Sequence, residues 1–113
     1  MVPLPIDVEI IDLKSHLDDR GQFTELFRSS WLPTMEAMQV NFVNSNPNVL
    51  RGVHVHFRHS DFLILVRGLM TLGLKDLRVA SSTCGLSTMI QLDVDQMKGV
   101  FIPPGVAHGF YFL

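Results

Sequence analysis

Apolar and polar residues alternate in short runs along the chain, and turns rich in glycine, proline, asparagine or aspartate separate these runs. Alternation with a period of two is typical of β-strands that bury one face. Many short strands between such turns predict an all-β sandwich or barrel. The predicted strands are Val8–Leu13, Gln22–Phe27, Val40–Val43, Val49–Phe57, Phe62–Val66, Leu69–Leu77, Ser87–Val94, Val100–Ile102 and Gly109–Leu113. A tight hairpin is predicted at Arg67-Gly68, and the one predicted helix is Leu32–Met38.

The composition predicts one domain over residues 1–113. Apolar residues make up 47% and charged residues 18% of the chain, which excludes a disordered tail and a coiled coil. The net charge of −2 offers no basic surface for nucleic acid or for an anionic membrane. The longest apolar run, Phe62–Val66, is too short for a membrane span. Because Cys84 is the single cysteine and no secretory signal is visible, we expect a cytoplasmic location.

Histidines and one carboxylate form the most informative pattern in the chain. His54 and His56 lie two positions apart, so in a regular strand they point to the same face. Asp61 follows, and His108 comes after the turn Pro103-Pro104-Gly105. This spacing resembles the two metal-binding motifs of the cupins, and we therefore predict a cupin barrel. Four such ligands, with Asp61 on a hairpin partner of the histidine strand, would suit Fe(II), Mn(II), Ni(II) or Zn(II). The alternative is a solvated strand face without a metal.

Five motifs in order along the chain resemble those of the dTDP-4-dehydrorhamnose 3,5-epimerase family, whose members are cupins. The resemblance covers nearly the whole chain. The matching segments are Asp18–Glu25 (D-x-R-G-x-F-x-E), Gln39–Asn41 (Q-x-N), Leu50–His54 (L-R-G-x-H), Asp76–Arg78 (D-L-R) and Ile102–Phe110 (I-P-x-G-x-A-H-G-F). The family implies a nucleotide-linked 4-keto-6-deoxyhexose as substrate, proton abstraction next to its C4 ketone, no cofactor and a homodimer.

The resemblance also implies roles for individual residues. His54 would be the general base, and His108 would lie against the ketone or assist His54. A second group would bind the substrate's polar parts. Arg51, Gln39 and Asn41 would contact the sugar or diphosphate, while Arg20, Phe23 and Glu25 would bind the nucleotide. Arginine suits a diphosphate because its planar guanidinium donates paired hydrogen bonds.

The chain departs from the family at several positions. His56 replaces the usual glutamine, and Asp61 aligns with a lysine that stabilises the enolate. An anion there would oppose enolate formation unless a positive charge compensates, so we hypothesise that a divalent metal on His54, His56, Asp61 and His108 replaces the lysine. The alternative is that Asp61 faces solvent or pairs with a histidine. The chain also stops mid-strand, at Tyr111–Leu113, before the family's acid tyrosine and a later aspartate, so we expect a C-terminal truncation.

Three other functions stay open beside the epimerase. A sugar 3,4-ketoisomerase would use the same enolate chemistry, a metal-dependent cupin would use the four ligands, and a non-catalytic module would only bind a sugar nucleotide. Outside this constellation we expect structural roles. Asp76 and Arg78 are interpreted as a structural ion pair, His59 as an exposed residue, and the segment from Lys14 to Asp19 as a solvated loop.

Overall fold

The computed structural model describes residues 2–35 and 39–113, and in this part of the chain almost all regular structure is β-strand. The strands are β1 (Glu9–Asp12), β2 (Ser15–Asp18), β3 (Gly21–Thr24), β4 (Arg51–His54), β5 (Asp61–Ile64), β6 (Leu69–Asp76), β7 (Ser87–Asp93), β8 (Lys98–Ile102) and β9 (Val106–Phe112). One 3-10 turn, Val94–Gln96, follows β7. Within the described residues no helix is long and apolar enough to cross a membrane.

The strands form two main antiparallel sheets and a separate hairpin. One sheet has the order β1-β8-β5, the other has the order β4-β9-β6-β7, and β2 pairs with β3. β8 ends at Ile102 and β9 begins at Val106. The short turn between them therefore carries the chain from the first sheet to the second.

The core lies along the inward face of β6 and its neighbours. Along β6, Met70, Leu72 and Leu74 are buried, whereas the residues between them are only half-buried. This period of two is the alternation expected of a strand with one face on the core. Val100, Ile102 and Val106 complete the most deeply buried group, and the turn between β8 and β9 therefore begins and ends on core residues.

Most predicted strands are present, but some predictions are wrong. Val40–Val43 forms no strand. Val40 and Phe42 are 89% and 74% exposed, and among the described residues no strand pairs with this segment, so its alternation has no sheet to join. The expected loop from Lys14 to Asp19 instead contains β2, which pairs with β3. The predicted helix Leu32–Met38 extends into residues 36–38, which lie outside the described residues.

The hairpin predicted at Arg67-Gly68 is also absent. β5 pairs with β8, and β6 pairs with β7 and β9, so the two strands that flank Gly68 belong to different sheets. A local turn signal cannot distinguish a hairpin from a crossing between sheets, because only the distant partner strands differ. This correction also changes the origin of Asp61. It lies on β5 in the first sheet, not on a hairpin partner of the strand that carries His54.

Candidate active site

The histidines and the aspartate come together where the two main sheets meet. In the second sheet, β4 pairs with β9 so that His54 lies opposite His108. In the first sheet, Asp61 at the start of β5 lies opposite Ile102, the last residue of β8. Because only three residues separate Ile102 from β9, the turn brings the Asp61 end of one sheet to the His108 strand of the other.

Three side chains of this region form a compact group, called here the histidine–aspartate cluster: His56, Asp61 and His108. Asp61 Oδ2 lies 3.0 Å from His108 Nε2 and 3.3 Å from His56 Nε2. The three donor atoms all lie within 4.8 Å of one another. His108 is buried, whereas the side chains of His56 and Asp61 are 33% and 34% exposed. The cluster is therefore anchored in the core and open to solvent on one side.

The surroundings of His108 determine where its ring carries a proton. Nδ1 lies 3.2 Å from the backbone carbonyl oxygen of Val106. Since a carbonyl oxygen only accepts hydrogen bonds, Nδ1 must donate. Nε2 then faces Asp61 Oδ2, and two lone pairs at hydrogen-bond distance would repel each other. An electropositive atom between Nε2 and the carboxylate would remove this repulsion.

His54 lies beside this cluster but is not part of it. It is the last residue of β4 and is exposed, and the centroid of its ring is 6.5 Å from that of His56. Of the four ligands expected from the sequence, the structure therefore brings three together. The strand ends at His54 and its register with β9 shifts between Arg51 and His54, so the regular alternation that would align His54 with His56 does not continue.

Two glycines allow β4 to approach β9 closely at this shift. Gly52 has a φ of +117°, and an ideal Cβ there would lie 2.8 Å from Gly109 Cα and 2.9 Å from the His108 carbonyl oxygen. Both distances are shorter than real Cβ contacts. A side chain at position 52 would thus separate the strands that hold His54 opposite His108.

The residues expected to bind substrate form pairs with neighbours in sequence. The Arg20 guanidinium donates to Asp18, and the Arg28 guanidinium donates to Glu25. Arg51 Nε donates to Ser45 Oγ at 3.0 Å, and Gln39 Nε2 donates to Asn41 Oδ1 at 3.2 Å. Phe23 lies on β3 and is exposed. These pairs hold the side chains near the surface, and none of these hydrogen bonds reaches the histidine–aspartate cluster.

Sequence reasoning missed the involvement of His59. Its side chain is 60% exposed, as expected, but its Nε2 lies 3.7 Å from Asp61 Oδ1. Its ring stacks on that of His56 with centroids 4.1 Å apart. Three histidines therefore surround one carboxylate. The close spacing of His56, His59 and Asp61 along the chain is the sequence feature that could have indicated this contact.

Asp76 and Arg78 form the structural ion pair that the sequence predicts. Asp76 continues the inward register of β6 and is fully buried. The Arg78 guanidinium holds the pKa of the Asp76 carboxyl well below its usual range, and hydrogen bonds from Ser81 and Thr83 lower it further. The hydrogen bonds and charge of Asp76, with a smaller contribution from Asp7, raise the pKa of Arg78.

The ion pair supports the turn that precedes His108. An ideal Cβ on Gly105, whose φ is +86°, would lie 2.5 Å from Arg78 Cγ, so the Arg78 stem packs directly against this glycine. Leu77 N donates to the Gly105 carbonyl at 3.0 Å, and Gly105 N donates to the His56 carbonyl at 2.7 Å. The backbone of His56 is thus connected through Gly105 to the Asp76–Arg78 pair.

Comparison with known proteins identifies the family. A family model described as dTDP-4-dehydrorhamnose 3,5-epimerase matches residues 4–113. The chain belongs to this family. The spore coat polysaccharide biosynthesis protein SpsL of Bacillus subtilis (strain 168) is 33% identical over 106 residues, which cover 94% of this chain and 70% of SpsL.

Two solved structures of the family show the same fold. ChmJ, a 3'-monoepimerase from Streptomyces bikiniensis in complex with dTDP-quinovose, superposes with a TM-score of 0.88 at 25% identity, covering 100% of this chain and 62% of ChmJ. The Mycobacterium tuberculosis rmlC epimerase superposes with a TM-score of 0.86 at 27% identity, covering 98% of this chain and 60% of that protein. The chain thus spans between 60% and 70% of the length of these three relatives.

These findings confirm the family and the all-β cupin fold predicted from the sequence motifs. The enzymes of the family are epimerases that require no cofactor, as the resemblance implied. The roles of individual residues in this chain stay predictions, and they are taken up below.

Proposed function

We propose that the chain is an epimerase of a nucleotide-linked 4-keto-6-deoxyhexose. Its membership of the dTDP-4-dehydrorhamnose 3,5-epimerase family over residues 4–113 carries the proposal. The ketone acidifies the hydrogens on C3 and C5. A base removes the proton from one of these C–H bonds. The electron pair of that bond then forms an enolate whose negative charge lies largely on O4. Return of a proton to the opposite face restores the ketone and inverts the carbon.

His54 is the proposed general base. It lies at the exposed end of β4, within the family motif Leu50–His54, where a substrate can reach it. An imidazole gains and loses a proton at physiological pH, which suits both directions of the transfer. His108 lies opposite His54 across the strand pair. As the family motif implies, we assign it to the ketone side of the substrate or to assisting His54.

Substrate binding involves the residues inferred from the family motifs. The planar guanidinium of arginine donates paired hydrogen bonds to a diphosphate. Arg20 and Arg51 are exposed, and on substrate binding they would release Asp18 and Ser45 and contact the nucleotide sugar. Phe23 is 64% exposed and offers a face for the base. Glu25, Gln39 and Asn41 complete this group.

A homodimer and a cytoplasmic location are also part of the proposal. Val40, Phe42 and Phe57 are each at least 74% exposed, and a partner subunit that covered these apolar side chains would remove them from water. Light scattering coupled to gel filtration tests the dimer, and a monomer at assay concentration would contradict it. Cys84 is a free cysteine and the single one in the chain, which suits a reducing compartment.

Deuterium exchange tests the proposed reaction. The chain is incubated with dTDP-4-keto-6-deoxyglucose in D2O, and proton NMR follows the C3 and C5 signals. We expect both signals to disappear, and we expect His54→Asn to slow the loss by about 10²- to 10⁴-fold, the usual contribution of a general base. His16→Asn is the matched control because His16 lies outside the histidine–aspartate cluster. His16 is opposite Phe23 on the β2–β3 hairpin, so the variants are compared at saturating substrate. Exchange at C3 alone would indicate a single-centre enzyme or a 3,4-ketoisomerase instead. A chain that exchanges neither hydrogen is not an epimerase.

A further inference from the structure

We propose that the histidine–aspartate cluster binds a divalent transition-metal ion, with His56 Nε2, Asp61 Oδ2 and His108 Nε2 as ligands. Two imidazole nitrogens and one carboxylate oxygen are donors that Zn²⁺, Fe²⁺, Mn²⁺ and Ni²⁺ accept. The ligand set differs from the four-residue set expected from the sequence, because His54 lies outside it.

The spacing of the donor atoms fits an ion. Ligands at about 2.1 Å from a metal, with angles between octahedral and tetrahedral values, lie about 3.0 to 3.4 Å apart. Asp61 Oδ2 lies 3.0 Å from His108 Nε2 and 3.3 Å from His56 Nε2. All three donor atoms lie within 4.8 Å of one another, so side-chain rotation can bring them to one ion.

The orientation of the His108 ring also favours a cation. Its Nδ1 donates to the Val106 carbonyl, which leaves the Nε2 lone pair directed at the Asp61 carboxylate. Metal-binding histidines commonly have this arrangement, in which the second nitrogen donates to a carbonyl and fixes the ring. His56 Nε2 lies 3.3 Å from the same carboxylate oxygen, and the two rings have centroids 5.6 Å apart, so both imidazoles can reach one ion. One divalent ion satisfies all three side chains.

Access and support are both provided by the fold. His108 is buried and held by β9, while His56 and Asp61 are a third exposed, so an ion can enter and keep water or a substrate oxygen in its open positions. His59 lies against both exposed ligands, and it can restrict the rotation of the carboxylate. Metal binding itself does not depend on the proposed reaction. A role for the ion in opposing charge on O4 of the enolate rests on the proposed function.

Metal titration tests the proposal with the ion alone. Tag-free protein is stripped with EDTA, dialysed and titrated with Zn²⁺ in a calorimeter, and Co²⁺ absorption reports the ligand geometry. We expect one ion per chain, with affinity reduced at least about 10- to 100-fold in His56→Ala and in Asp61→Asn. Both side chains are a third exposed, and circular dichroism checks that the variants fold. His16→Ala is the control and should bind as the unaltered protein does.

The failures of the two proposals are distinguishable. No stoichiometric binding, or binding that neither His56→Ala nor Asp61→Asn weakens, overturns the metal site. Deuterium exchange that continues at full rate in EDTA, together with absent Zn²⁺ binding, rejects the metal and keeps the epimerase. Zn²⁺ binding that depends on Asp61, in a chain without exchange at C3 or C5, keeps the metal and rejects the epimerase.

Discussion

Replacing Asp76 with asparagine tests how a buried charge supports the site. Oδ1 of Asp76 accepts hydrogen bonds from the backbone N and Nε of Arg78 at 3.0 and 2.9 Å. Oδ2 accepts from Arg78 Nη2 at 3.0 Å and from the hydroxyls of Ser81 and Thr83 at 2.6 Å each. The variant keeps the shape of the side chain but removes its charge and turns one acceptor into a donor that faces other donors.

The expected cost follows from this geometry. A hydrogen bond to a charged group contributes about 1.5 to 3 kcal/mol, but five bonds to one carboxylate are not additive. Removing one partner of a buried ion pair costs about 3 to 5 kcal/mol. Asparagine retains one acceptor oxygen, so we expect the lower end of this range, about 3 kcal/mol, which corresponds to a decrease of roughly 10 to 20 °C in unfolding temperature.

Urea unfolding at neutral pH measures this difference, and Asp12→Asn provides the matched control. The Asp12 carboxylate is 83% exposed and pairs with Lys98, and exposed ion pairs contribute at most about 1 kcal/mol. If Asp76→Asn costs no more than Asp12→Asn, the buried pair does not stabilise the fold and the argument is refuted.

Acid titration gives a second check on the same residue. The pKa of Asp76 is lowered in the folded chain, so its stabilisation is fully present above the pKa of an unfolded aspartate, about 3.9. As the pH falls below that value, the unfolded chain takes up a proton that the folded chain does not, and stability decreases. The difference between the unaltered chain and Asp76→Asn should therefore narrow below about pH 4. A difference independent of pH would contradict this assignment.

Two further substitutions test the packing around the site. Gly52→Ala should cost at least about 2 kcal/mol and slow deuterium exchange, because the new methyl combines a positive φ with contact against β9. Gly85 has a φ of +84°, but a Cβ there would have no atom within 4 Å, so Gly85→Ala should lose only the stability that backbone strain costs. Equal losses of stability in the two variants would contradict the close approach of β4 to β9. Leu72→Ala, at a fully buried position, should cost about 2 to 5 kcal/mol in urea unfolding. Val79→Ala, at a side chain that is 92% exposed, should stay within about 0.5 kcal/mol, and comparable losses would argue against the described core.

Local sequence patterns predicted much of the strand content. The alternation around Leu72 and around Ile90 predicted β6 and β7 nearly to the residue, because each strand buries one face on the core. The ordered motifs identified the family, and the Asp76–Arg78 pair was interpreted correctly as structural. These features depend on residues that are close in sequence, so the periodicity and spacing of the sequence predict them.

Pairing between distant strands could not be read in the same way. Val40–Val43 alternates like a strand but has none beside it within the described residues, and the turn at Gly68 crosses between sheets rather than forming a hairpin. Strand pairing depends on partners that are far away along the chain, and an alternating pattern does not identify which strand will pair with it.

The candidate site likewise depends partly on local sequence and partly on the tertiary structure. The sequence by itself singled out the candidate site residues, since His54, His56, Asp61 and His108 stand out by type and spacing. Only the tertiary structure decided that three of them meet, that His54 lies apart, and that His59 joins the carboxylate. The physical reason is that Asp61 and His108 lie in different sheets, so their 3.0 Å contact depends on the three-residue turn after Ile102 and on the register of β5 against β8.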